Sequence, residues 1–164
     1  MSLERLWAGW RHDYINGMAR DDNAECLMCA LAASTDDKGD YIIWRSENAF
    51  VALNAYPYSS GHLMVSPIRH VAEIEELNEG ESTALWDALQ KSTVAIKAAY
   101  EPQGLNIGIN LGRAAGAGVP DHLHIHVVPR WNGDTNFMTS IAEARVLPEA
   151  LDVSAEKLRS TWPK

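Results

Sequence analysis

The stretch His122-Leu123-His124-Ile125-His126-Val127-Val128 decides how this chain is read. Its residues alternate strictly between imidazole and aliphatic, which is the two-residue period of a half-buried β-strand. The three histidines therefore share one sheet face, while Leu123, Ile125 and Val127 enter a core. Half of the chain's six histidines stand in this row, so one small patch concentrates the groups that can exchange protons near neutral pH.

Three readings of the row compete. A solvated strand face that happens to use histidine is the blandest, and a small-residue loop directly ahead of the row argues against it. A three-histidine metal site fails on distance, because positions i and i+4 of a strand lie roughly 13 Å apart by backbone rise, so only a neighbouring pair can share an ion. Nucleophilic catalysis fits best: a neutral imidazole attacks an electrophile such as phosphorus, and its neighbours orient its tautomer and protonate the leaving oxygen. His124, flanked by His122 and His126, is the best-placed nucleophile. His126 then serves the phosphate or the leaving group.

Phosphoryl transfer also needs donors for the charge that spreads over the phosphorus oxygens. Asn110 and the backbone amides of Gly116 to Val119, Gly118 among them, are the candidates, since small residues permit tight turns whose N–H groups converge on an anion. The loop is no Walker motif, for no Gly-Lys-Ser/Thr follows it. Nor is it a dinucleotide fingerprint, because a strand follows instead of a helix.

Outward from the row, Leu105-Asn-Ile-Gly-Ile-Asn110 alternates, with Leu105, Ile107 and Ile109 on one side and a polar, partly side-chain-free face on the other. Earlier, Tyr41–Arg45, Ala49–Asn54 and His62–Ser66 read as sequential antiparallel strands. Between Asn78 and Pro102 the period changes to that of a helix, with Asn78 and Glu81 as a capping-box start. Residues 148–162 read as a helical tail, and the first 25 as an irregular arm with some helix. Strands, one covering helix, then strands again give an α+β fold with an antiparallel sheet. No repeat or linker divides the chain, so 1–164 is expected to form one domain.

The 164 residues carry 14 Lys and Arg against 22 Asp and Glu, a net charge of -8. That balance removes the electrostatic driver for nucleic-acid polymers and anionic membranes but leaves small phosphate esters open. No run approaches a membrane span and no secretory signal opens the chain, so the expected place is the cytoplasm. The only cysteines, Cys26 and Cys29, form C-L-M-C, a spacing that suits a metal clip or a redox pair better than a structural disulfide.

With the row comes its context: Asn54-Ala-Tyr-Pro-Tyr-Ser-Ser-Gly61-His62-Leu-Met-Val, Ser66-Pro-Ile-Arg-His70, Asn106-Ile-Gly-Ile-Asn110-Leu-Gly, and Val128-Pro-Arg-Trp131-Asn-Gly-Asp. Together these resemble the histidine triad (HIT) superfamily of nucleotide hydrolases and transferases over roughly Cys26 to Asn136. They look most like its diadenosine tetraphosphate phosphorylase and hydrolase branch. The resemblance implies a HIT-like sheet and cleavage of a dinucleoside polyphosphate at the α-phosphorus through a nucleotidyl-His124 intermediate. It also implies ribose recognition by Asn54 and phosphate binding by Asn110 and the loop (Gly116, Gly118, Val119); by position alone, His126 reaches the phosphate or leaving group, and Trp131, just past the strand, reaches the second nucleotide or a bound phosphate. His62 takes a supporting role. One departure is the absence of the Ser or Thr that many relatives carry at about Gly118 or Val119.

The same resemblance joins Cys26 and Cys29 to His70 and His122 as a structural zinc set, and it implies a homodimer. Whether water or inorganic phosphate accepts the nucleotidyl group, and whether Mg²⁺ accompanies the polyphosphate, stays open at this level. A phosphoramidase acting on P–N bonds and a nucleotide-binding module without turnover are the alternatives.

Overall fold

The structure, a computed structural model, describes residues 26–134 and 149–164. The expected N-terminal arm lies outside the described residues. One antiparallel sheet holds β1 (Ile42–Arg45), β2 (Ala49–Leu53), β3 (Leu63–Pro67), β4 (Gly104–Ile109) and β5 (Ile125–Arg130) in the order β1-β2-β3-β5-β4. Helices α1 (Leu27–Ala33), α2 (Glu79–Tyr100) and α3 (Leu151–Thr161) complete the α+β fold expected from the sequence.

Strand alternation sorts two cores onto the two sheet faces. Val51, Leu53, Leu63, Val65, Ile125 and Val127 meet Leu85, Leu89 and Ile96 of α2 and Leu158 of α3. On the other face Met28 of α1 packs with Ile42, Phe50, Ala52 and Met64. Met64 pairs with His126 across the β3–β5 ladder, so the histidine face is the α1 face.

The long helix starts where its capping box predicts. Asn78 Oδ1 accepts the Glu81 N–H at 2.9 Å, and Glu81 Oε2 accepts the Asn78 N–H at 3.0 Å, each satisfying an orphan donor of the first turn. Arg69 grips the same carboxylate at 2.7 and 2.9 Å. That hydrogen bond, aided by the one from Asn78, holds the Glu81 carboxyl down at about 2. At the far end of α2, Tyr100 donates its hydroxyl hydrogen bond to Glu149 (2.6 Å), which also accepts from Ser154 (2.7 Å) and so ties α3 to α2.

The short helix α1 is fixed from the sheet. Arg45 of β1 donates to the carbonyls of Leu31 (2.7 Å), Ala32 (2.8 Å) and Ser34 (3.2 Å), which satisfies C-terminal acceptors that the helix itself leaves open. The C-L-M-C segment is thereby anchored over the histidine face.

β5 begins at Ile125, three residues later than the alternation alone suggests. His122, Leu123 and His124 approach the sheet ahead of the regular ladder. On β4, Leu105 and Ile109 pack against the core while Ile107 stays half exposed, so the expected inward row is only partly covered.

Candidate active site and metal cluster

His124 is buried, and its Nδ1 lies 2.8 Å from the main-chain oxygen of His122. A carbonyl only accepts, so Nδ1 carries the proton and Nε2 keeps its lone pair. Burial pushes the His124 imidazole below its ordinary value, partly opposed by that hydrogen bond. The neutral tautomer required of a nucleophile is the one the surroundings favour.

His126 sits beside it, ring centroids 4.9 Å apart. Its Nδ1 is 3.0 Å from Nε2 of His62. The other nitrogen of His62 meets two donors, the Tyr58 N–H at 3.1 Å and the Asn54 amide nitrogen at 3.4 Å. His62 Nδ1 is therefore an acceptor and its proton sits on Nε2, so His126 accepts at Nδ1 and carries its own proton on Nε2. A chain of fixed tautomers runs from a backbone amide to an imidazole N–H beside His124. Burial first, and then the neighbouring His124, push His126 down to about 4.

The Tyr58 ring packs on this pair, tilted on His62 at 4.6 Å and stacked on His126 at 5.9 Å between ring centroids. Sequence reasoning gave His62 a supporting role and passed over Tyr58, whose main-chain contribution leaves no side-chain signature. Opposite His126 on β4 stands Gly108, and a Cβ built there meets nothing within 4 Å. The open, side-chain-free face expected on this strand is thus located directly against the proton-carrying imidazole.

The remaining predicted contacts divide. Asn54 is buried at the end of β2, its Oδ1 accepting the Tyr56 N–H at 2.9 Å and its amide nitrogen turned to His62. Asn110 follows β4 directly. In the loop the expected anion nest is narrower than the sequence suggests: the Gly116 N–H is used by Arg113 O (3.0 Å) and the Ala117 N–H reaches Gly112 O (3.4 Å). A 3-10 turn over Arg113–Ala115 causes this. Among the described residues the N–H groups of Gly118 and Val119 make no backbone hydrogen bond, and the Val119 side chain packs on the α1 core. Trp131 lies just past β5, its ring edge-on to Tyr100 at 6.4 Å.

Next to the row is a second cluster. Ligand atoms of Cys26, Cys29, His70 and His122 lie within 4.8 Å of one another. Sγ of Cys26 is 3.4 Å from His122 Nδ1, and Sγ of Cys29 is 3.2 Å from His70 Nδ1 and 3.5 Å from His122 Nδ1. With metal–sulfur and metal–nitrogen bonds of about 2.3 and 2.0 Å, tetrahedral zinc sets S···N edges near ~3.5 Å. The four residues fit such an ion. His122 adds an outer contact: its Nε2 lies 3.0 Å from Pro67 O, which places the proton there and frees Nδ1 as a ligand.

Comparison with known proteins gives a coherent picture. Residues 36–133 match the HIT domain family model. The chain is 38% identical over 168 residues to an AP-4-A phosphorylase of Mycobacterium tuberculosis, covering 99% of this chain and 86% of that protein. It is 32% identical over 96 residues to an asymmetrical bis(5'-nucleosyl)-tetraphosphatase of Schizosaccharomyces pombe, covering 58% of this chain and 52% of that one. Among solved structures, a Zn-bound histidine triad family protein from Mycobacterium smegmatis superposes with a TM-score of 0.67 at 29% identity, over 84% of this chain and 92% of that chain.

Proposed function

Since the chain belongs to the HIT domain family, we propose that it is an enzyme cleaving a dinucleoside polyphosphate at the α-phosphorus, with His124 as nucleophile. The observation that carries the reading is the 2.8 Å contact of His124 Nδ1 with His122 O, which leaves Nε2 as the attacking atom. The Nε2 lone pair forms a P–N bond as the P–O bond to the departing nucleotide breaks. The His126 Nε2–H donates a hydrogen bond to the departing oxygen, which leaves as the nucleotide's phosphate anion and needs no proton near neutral pH. In the second half, water or inorganic phosphate attacks the same phosphorus, the P–N bond returns its electrons to His124, and a proton shed by an attacking water passes to solvent.

Asn110 and the amides of Gly118 and Val119 hold the phosphate oxygens in this reading, with Gly116 shaping the turn. Asn54 offers its second amide hydrogen and second lone pair to the ribose hydroxyls. Trp131 borders the departing nucleotide. A Mg²⁺ ion, where present, comes with the polyphosphate as part of the substrate.

Cys26, Cys29, His70 and His122 would hold zinc. Four protein ligands leave no open position, so the ion supplies a structural tie between α1 and the catalytic row and no chemistry. Thiols kept available for a metal support a reducing compartment such as the cytoplasm. Among the described residues no helix is long and apolar enough to cross a membrane.

We also propose one domain and a homodimer. Helices α2 and α3 pack on the same sheet face, which supports the former. For the latter, β4 is an edge strand with Ile107 47% exposed, and α2 presents Trp86 (63%) and Val94 (52%) away from its buried face. An edge with no second neighbour among the described residues, together with exposed large apolar groups, is a natural site for self-association.

The test is incubation with diadenosine tetraphosphate, with and without inorganic phosphate, and identification of the products. ADP plus ATP formed only with phosphate means phosphorolysis; AMP plus ATP without it means hydrolysis. No product from the native protein, or wild-type turnover by His124→Ala, overturns the assignment.

A further inference from the structure

The start of the histidine row is held by a residue outside it. Main-chain groups of alternate β3 residues point to opposite neighbours: the His62 carbonyl and the Ile68 N–H both face β2, accepting from Asn54 and donating to Asn48 at 3.0 Å each. Odd-numbered residues therefore face β5. Extending the β3–β5 register of Leu63 with Val127 and Val65 with Ile125 by two residues sets Pro67 against Leu123. Proline has no N–H, so the Leu123 carbonyl lacks its ladder donor.

The structure fills that gap with a side chain. Ser66, completely buried, donates its hydroxyl hydrogen bond to Leu123 O at 2.8 Å. The Leu123 N–H turns instead to Val71 O at 2.7 Å, and the Pro67 carbonyl accepts from the His122 ring at 3.0 Å. Leu123 O belongs to the peptide plane that enters His124. The adjoining plane carries the His122 oxygen on which the His124 ring is oriented.

We propose that Ser66 is a positioning residue for the nucleophile, its hydroxyl replacing the ladder bond that Pro67 removes and so fixing the peptide from which His124 projects. It touches no substrate and acts only through Leu123. A reorientation of that peptide by a few tenths of an ångström changes the line of attack at phosphorus, to which rates are sensitive. The inference rests on His124 being the nucleophile.

Ser66→Ala is compared with Ser92→Ala, a control that removes an equally buried hydroxyl whose bond runs within α2 to Ala88 O at 2.7 Å. Both variants lose thermal stability. Ser66→Ala is expected to lower kcat for diadenosine tetraphosphate about tenfold with KM and the Kd for AMP within twofold, and Ser66→Cys, with its weak S–H donor, to fall between. Ser92→Ala keeps kcat. Nitrogen-15 NMR of the ligand-free proteins at pH 7.5 should show His124 protonated on Nδ1 in the native chain and a tautomer mixture in Ser66→Ala. Equal loss of kcat in both serine variants, or native kcat and tautomer in Ser66→Ala, overturns the proposal; if Ser66→Ala fails to fold, Ser66→Cys decides in the same terms. A native protein without turnover overturns the functional reading instead, and the NMR comparison then still decides whether Ser66 orients His124.

Discussion

Nε2 of His62 lies 3.0 Å from Nδ1 of His126, and the proton between them belongs to His62. The assignment follows from the far side of His62, where the Tyr58 N–H donates to Nδ1. A backbone amide thus determines, through the imidazole of His62, that His126 carries its proton on Nε2.

Removing His62 should disconnect this chain. His62→Ala leaves His126 free to adopt either tautomer, so the fraction poised as a donor falls. The expected result is a kcat lowered by about 10- to 100-fold with KM changed little, seen together with a mixed His126 tautomer by nitrogen-15 NMR. A variant with native kcat would show that the hydrogen bond from His62 does not set the working tautomer of His126.

The low value of His126 makes its protonation a pH-dependent load on the fold. Burial, then the neighbouring His124, bring it down to about 4, while an unfolded histidine titrates near 6.5. Because the folded value is the lower one, the stability linked to this neutral ring is fully present above about 6.5 and is lost as pH falls toward 4. An NMR titration should find His126 neutral at pH 6.5 and protonated only with a midpoint near 4. A midpoint near 6.5 would contradict the buried setting.

How much of this was readable beforehand depends on locality. The face of the histidine row follows from a two-residue period, and the start of α2 follows from Asn78 and Glu81 three positions apart; both are short-range rules and both are met. The Cys26–His122 contact bridges 96 positions, a distance at which spacing is silent, and only the family resemblance joined them. Tyr58 acts through its main chain, which no residue type announces. Ser66 did leave a trace: a proline next to it in a central strand signals a broken ladder, and that break is also why β5 begins at Ile125 rather than His122.

Metal content is a direct readout of the four-residue cluster. Freshly purified protein should carry about one zinc per chain, as expected for a closed tetrahedral site. His70→Ala and Cys29→Ser should each lose the metal and lower Tm by about 10 °C, because binding energy at such a site is folding energy. Native protein free of zinc without exposure to chelator would remove the metal from the account.

Self-association can be tested on the outer face of α2. Placing charges at the two exposed apolar positions, Trp86→Glu with Val94→Lys, should leave the helix intact, since the buried side is Leu85, Leu89 and Ile96. Sedimentation should then shift from twice the chain mass to 18.1 kDa. A double variant that still sediments as a dimer would place the interface elsewhere.

The open space at Gly108 gives the sharpest separation of binding from folding. The residue pairs with His126 across the β4–β5 ladder, and a Cβ there meets no atom within 4 Å. Cross-strand neighbours hold their Cβ atoms about 5 Å apart, so a branched side chain projects beside the His126 ring, where the proposed mechanism puts the departing nucleotide. Gly108→Val also suits strand geometry, and Tm should hold or rise. KM for the dinucleotide should climb at least about tenfold, the cost of a clash of roughly 1.4 kcal/mol. Unchanged KM with unchanged Tm would mean that this space, although open, is not where the substrate lies, and the nucleotide would have to approach His126 from the Tyr58 side.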